Sequence, residues 1–231
     1  MSKMVMTIVE GQSEEDFVTY LLSGYIENRT NGAVKMKASQ VITNPILMKR
    51  GGGSSYKHYI PMIENYLASP QLYCTTIIDF YKFPTDVDGI DTLDSIYGYY
   101  EKAEQIERLM KAEINTEYAD RFIPNVLLHE FEALLLTDCS AFEAITTYKR
   151  GDIQKLQKEI NREFMNNGEN PEFINQGETT APSKRILKYL PYRKGAHGYQ
   201  IATKITIDRI RDKCKHFDVW IRNIEALGES I

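Results

Sequence analysis

The first hydrophobic signal along the chain is an unbroken one: residues 4–9 are all apolar or β-branched, the pattern of a strand buried on both faces. Gly11 and Ser13 break it. Ser13, followed by Glu14, Glu15 and Asp16, reads as an N-cap with acidic residues in the first helical turn. Phe17, Val18, Leu21, Leu22 and Tyr25 then recur at helical spacing to about Asn28. A second strand is expected within residues 34–43, followed by a loop over residues 49–53. A helix is expected over 56–68, weakened near its first turn by Pro61. Residues 74–80 form another continuous apolar run, closing at Asp79. A long amphipathic helix is predicted over 95–117. Residues 122–128 are a third apolar run, interrupted by Pro124 and therefore irregular.

Buried-type strands alternating with helices predict an α/β fold, a mostly parallel sheet flanked by helices, through about residue 137. Beyond it no strand is expected. Residues 140–165 and the last forty or so read as helical. Between them, residues 166–182 contain Gly168, Pro171, Gly177 and Pro182 and read as a linker or mobile loop beside a site. The expected organisation is a core over 1–137 and a helical C-terminal lobe over 138–231, packed on it as one unit. Trp220, Ile221, Ile224 and Leu227 form a core stripe.

Composition narrows the class. With 42% hydrophobic and 26% charged residues in 231, the chain suits a soluble globular protein. Cys74, Cys139 and Cys214 form no zinc pattern and fit a reducing cytoplasm. No apolar run approaches the roughly 20 residues of a spanning helix, so no membrane role is expected. The net charge of −4 hides a segregation: residues 182–222 hold 11 Lys or Arg against 3 Asp or Glu. A basic segment opposite an acidic remainder is what a polyanionic substrate, DNA or RNA, would require.

Ligands of open parallel sheets gather beyond the carboxyl ends of the strands, and three predicted strands end in acids. Glu10 follows the first, Asp79 closes the run at 74–80, and Glu130 and Glu132 follow the run ending at Leu128. Glu14 lies one helical turn from Glu10. Converging carboxylates repel one another unless a cation neutralises them, and hard oxygen donors suit Mg²⁺ or Mn²⁺. Such a centre activates water against a phosphodiester. For Glu14 the simpler reading is a dipole complement; for His129, Glu130 and Glu132 it is a core histidine and a solvated helix face. Asp86 and Asp88 read as an acidic turn. Lys49 and Arg50, in a glycine-rich loop, and Arg185, Arg193 and Lys194, in the basic segment, are candidates to touch phosphates.

The motif Val9-Glu10-Gly11-Gln12-Ser13-Glu14 resembles the first motif of Toprim domains, the metal-binding fold of topoisomerases, primases and nucleases of the overcoming-lysogenization-defect type. Asp79 matches the leading Asp of their later Asp-x-Asp motif, whereas the second Asp position is Tyr81. Asp86, Asp88 or Glu130 is then expected to supply the missing carboxylate. The ordered set that also includes residues 79–84, 128–135 and 182–185 is similar to a bacterial Toprim-like group, domain-of-unknown-function family 4276. The resemblance implies a Toprim-like core, a defence or mobile-element context and an AAA/ABC-type ATPase partner. It also implies a basic residue C-terminal to the acids, with Lys184 first and Arg185 or Lys194 in reserve. Two functions are expected from it: a nuclease in which Glu10, Asp79 and Glu14 or Glu130 hold Mg²⁺ or Mn²⁺, or a catalytically degenerate binding module working with the ATPase.

Overall fold

A computed structural model describes residues 2–229, apart from residues 45, 48, 53, 54, 175 and 176. Strand β1 (Lys3–Val9) leads into a helical body made of α1 (Gln12–Phe17), a π-helical turn (Val18–Leu22) and α2 (Ser23–Arg29). Strand β2 (Val34–Gln40) runs into a hairpin, β3 (Ile42–Asn44) and β4 (Lys49–Arg50). Helix α3 (Tyr59–Leu67) precedes β5 (Leu72–Asp79), and α4 (Tyr99–Ala112) follows it. Pro124 splits the last apolar run as expected, into β6 (Phe122–Ile123) and β7 (Val126–Leu127). From there the described chain is helical: α5 (Phe131–Leu135), α6 (Arg150–Asn167), α7 (Pro182–Leu187), α8 (Gly198–Ile205), α9 (Ile207–Lys213) and α10 (Lys215–Glu229).

The main sheet is parallel, in the order β2-β1-β5, with both β6 and β7 pairing β5. Its central strands bury both faces, which is why they read as continuous apolar runs rather than alternating ones. Val5, Val9 and Ile77 face a core shared with Phe17, Leu22, Phe131, Ile201, Ile210 and Trp220. Ile8, Cys74 and Ile78 face a second core built by Tyr59, Ile63, Ile106 and Met110. The C-terminal helices therefore share one apolar cluster with β1 and α1.

Two local features differ from expectation. Ser13 is not the N-cap: Gly11, in extended conformation, takes that position, and Ser13 lies inside the helix. The polar stretch 166–182 is no loose linker where it is described, because Asn170, Glu172 and Ile174 are buried. Glu172 accepts hydrogen bonds from the backbone N–H groups of His216 and Phe217 at 3.1 and 3.0 Å, holding the start of α10. Residues 175 and 176 of that stretch lie outside the described residues.

Candidate functional site

The connection leaving β1 turns towards β2, whereas the one leaving β5 returns through α4 to β6 on the other side. The carboxyl ends of β1 and β5 thus flank the point where the strand order reverses, the place where open sheets leave a crevice. Val9 pairs with Ile77, so Glu10 and Asp79 lie one and two residues beyond the last rung. A cleft of about 240 Å³ opens there, lined by Glu10, Gln12, Ser13, Glu14, Gly52, Asp79, Lys194 and Gly195. Glu10, Glu14 and Asp79, singled out from the sequence, are brought together.

Hydrogen bonds from three segments shape the cleft. Asp79 Oδ1 accepts from the Phe131 N–H at 2.9 Å, which fixes the carboxylate against the start of α5. Gly52 N–H donates to the Glu10 carbonyl at 3.1 Å, bringing the glycine loop over the end of β1. A Cβ on Gly51, whose φ is +78°, would stand 3.2 Å from that same carbonyl, so the close approach needs glycine. On the opposite side Gly195 N–H donates to Ser13 Oγ at 2.8 Å and straps residues 191–197 across the helix start. That strap delivers Lys194.

The electrostatics are those of an acid-rich, half-desolvated pocket. Burial raises the carboxyl pKa of Glu10, Glu14 and Asp79; Glu14 and Asp79 are raised further by their acidic neighbours and Glu10 by Glu130, while Lys194 pulls all three down and the Asp79 backbone N–H also lowers Glu10. Asp79 is crowded by protein atoms on nearly every side, although its surface still reaches the cleft. Behind them lies Glu132, fully buried, whose carboxyl is pushed up to about 7 by desolvation against the pull of Lys194. The Lys194 ammonium stands 3.2 Å from Glu132 Oε2. Neither Glu132 oxygen receives a well-aligned hydrogen bond from the described residues. Without Lys194 the buried Glu132 would keep only the nearby Tyr192 hydroxyl and no counter-charge.

These donors fit a hard divalent cation by chemistry: four carboxylates within mutual influence, short of positive charge. Among the described residues, no three His, Cys, Asp or Glu side chains already stand close enough to form a cage. Binding a cation would therefore draw the side chains inwards.

Glu130 borders this acidic group, repelling charge on Glu10 and attracting Lys194, while its Oε2 accepts from Ser183 N–H at 2.9 Å at the start of α7. Other candidates lie elsewhere. His129 is a buried core residue with its ring edge-on to Tyr99, held in the left-handed region at φ +67°. Asp86 accepts from Ser55 Oγ and Tyr56 N–H, capping the helical turn before α3, and Asp88 is exposed; neither lines the cleft. Lys184 is exposed on α7 and does not line it either, so the cation in the cleft is the reserve residue, Lys194. Arg185 is buried in ion pairs with Glu159 and Glu163 at 3.1 and 3.0 Å and has no surface for a phosphate. Arg193 is exposed beside Lys194, and Lys49 and Arg50 are exposed on the hairpin.

The segregated charge is largely neutralised by folding. Arg209 meets Asp138, Arg211 meets Asp218 and Glu225, Lys213 meets Glu169, and Lys188 meets Glu159. Acids from other segments absorb most of the basic run, and only its 193–195 portion reaches the acidic cleft. The sequence offered no signal for this choice.

The fold and site define an α/β protein with a carboxylate cleft at the switch point of a parallel sheet. The chain belongs to the DUF4276 family, a domain of unknown function, whose model matches residues 9–225. No curated protein and no solved structure matches it. Among the described residues, no helix is long and apolar enough to cross a membrane.

Proposed function

We propose that the chain is a Mg²⁺- or Mn²⁺-dependent phosphodiesterase acting on nucleic acid, a Toprim-like nuclease of a reducing cytoplasm. The observation that carries this reading is the meeting of Glu10, Glu14 and Asp79 with Lys194 in one cleft at the ends of β1 and β5. Glu10 and Asp79 would hold the metal, with Glu14 completing its protein ligands. The metal would supply an activated water and stabilise charge on the phosphate. Lys194 would hold a non-bridging phosphate oxygen and offset charge as it develops. Glu132 holds that lysine over the cleft. Glu130 serves α7, and Tyr81 stands where the Toprim pattern has its second Asp.

The test is cleavage of DNA and RNA by the purified chain with Mg²⁺ or Mn²⁺. Glu10→Ala and Asp79→Ala should each abolish it; cleavage unchanged in both overturns the assignment. A second reading is favoured by one observation, Tyr81 at the position where the Toprim pattern has its second Asp. It is a catalytically degenerate module working with an AAA/ABC-type ATPase. Calorimetric titration with Mn²⁺ separates the two, since the module predicts no binding at millimolar metal.

A further inference from the structure

We propose that a second cavity, beside the acidic cleft, receives a nucleobase of the strand whose phosphate lies between Glu10 and Asp79; this rests on the phosphodiesterase reading above. The cavity is about 380 Å³, within the range of small-ligand sites, and its wall begins at the residue after Asp79. Phe80, Phe83 and Leu93 give it an apolar lining, while Lys82, Asp91 and Asp94 bring charges of both signs. Asp79 and Lys82 are three residues apart, so their Cα atoms are separated by at most roughly 11 Å. A base next to the reacting phosphate is within that reach.

The aromatic lining is braced from behind. Phe80 meets Tyr99 edge-on at 6.2 Å, and Phe83 leans on Tyr56 at 6.5 Å. A turn joins them, closed by the Phe83 N–H donating to the Phe80 carbonyl at 3.1 Å. Its third residue is Lys82 at φ +61°, a position that glycine or asparagine fills at lower cost. The Lys82 ammonium lies 5.3 Å from the centre of the Tyr81 ring, and a lysine in a turn position that glycine would fill at lower cost, three residues after Asp79, points to a use for that ammonium.

The chemistry selects the occupant. Two acids repel a second phosphate, and three charged groups do not suit an acyl chain. A planar base fits: its faces lie against apolar and aromatic side chains, a ring or carbonyl acceptor meets Lys82, and an exocyclic amino group meets Asp91 or Asp94. Guanine, adenine and cytosine offer both edges, whereas thymine and uracil lack the amino group.

The probe is a single-stranded oligonucleotide containing 5-iodocytosine, photo-cross-linked to the full chain, with binding followed by fluorescence anisotropy. The label should map to residues 80–94. Lys82→Gly should fold at least as stably as the parent, since glycine suits the turn, and should bind about tenfold more weakly. Labelling only outside 80–94, or unchanged affinity of Lys82→Gly, overturns the base pocket while leaving the phosphodiesterase reading standing. Absence of any binding overturns the base pocket, while the phosphodiesterase reading stands or falls on the cleavage assay.

Discussion

Lys194 and Glu132 form an ion pair of unequal partners: the ammonium is 3.2 Å from Oε2, with the lysine side chain 54% exposed and the glutamate 1% exposed. Burial disfavours charge on Lys194, but Glu132, Asp79 and Glu130 outweigh it and hold its pKa above the ordinary value. The lysine therefore stays charged over the cleft. Removing one partner of a fully buried pair costs about 3–5 kcal/mol. Water screens the exposed half of this one, which reduces the expected loss for Lys194→Met to roughly 1–2 kcal/mol at pH 8. Urea unfolding should show that loss, and adding Glu132→Gln should recover it by removing the stranded charge. A double variant as unstable as Lys194→Met would refute the pairing as its cause.

Stability of the metal-free protein should fall as pH rises through the weakly acidic range. Glu10, Glu14, Asp79 and Glu132 all bind protons more tightly folded than unfolded. Their contribution is present at low pH and is lost on ionisation. For Glu132 the window runs from its ordinary 4.5 to about 7. The loss is roughly 3 kcal/mol, or about 6–12 °C in Tm for a chain of this size. Millimolar Mn²⁺ should raise Tm more at pH 8 than at pH 5, because a cation meets ionised carboxylates only at the higher pH. Thermal melts at the two pH values check this, and an equal shift at both would count against a carboxylate metal site.

Glu130→Ala separates a helix-supporting role from a metal-binding one. The Ser183 N–H at the start of α7 would lose its acceptor, costing about 1–2 kcal/mol. Mn²⁺ affinity, measured by calorimetry, should fall by no more than about threefold, as for a neighbouring charge rather than a ligand. A tenfold loss of affinity would return Glu130 to the metal ligands.

How much of this was legible depended on how local the signal is. The strands β1 and β5 are plain in sequence because burial on both faces leaves no polar position within 4–9 except the β-branched Thr7, and few within 74–80. Glu10 and Asp79 could be found as acids ending such runs. Lys194 could not be told from Lys184, because the choice depends on the strap that Gly195 makes with Ser13, a hydrogen bond between residues 182 positions apart. The same bond explains why Ser13, a good cap by sequence, is no cap: its hydroxyl serves a distant segment. The basic run was misleading for a related reason. Apart from Asp218, its partners, among them Glu159, Glu169 and Glu225, lie outside 182–222, and only folding brings them in.

Lys49 and Arg50 should bind the phosphate backbone, and Arg185 should not. The hairpin β3–β4 leaves both cations exposed, and the chain after them passes through Gly52, which lines the cleft. A strand entering the cleft would pass these side chains first. Removing one cation from a phosphate lowers the slope of log K against log salt by about 0.7–0.9. Lys49→Ala with Arg50→Ala should therefore weaken oligonucleotide binding, reduce that slope by roughly 1.4–1.8, and leave Tm within about 1 °C, as for exposed residues remote from the core. Arg185→Ala should do the reverse. It removes the cation from Glu163, while Glu159 keeps Lys188 and the Tyr189 hydroxyl, and costs about 2–4 kcal/mol, while the salt slope stays as it was. Anisotropy titrations over a series of salt concentrations decide between them; a slope that moves for Arg185 and not for the hairpin pair would place the nucleic acid on α7 instead.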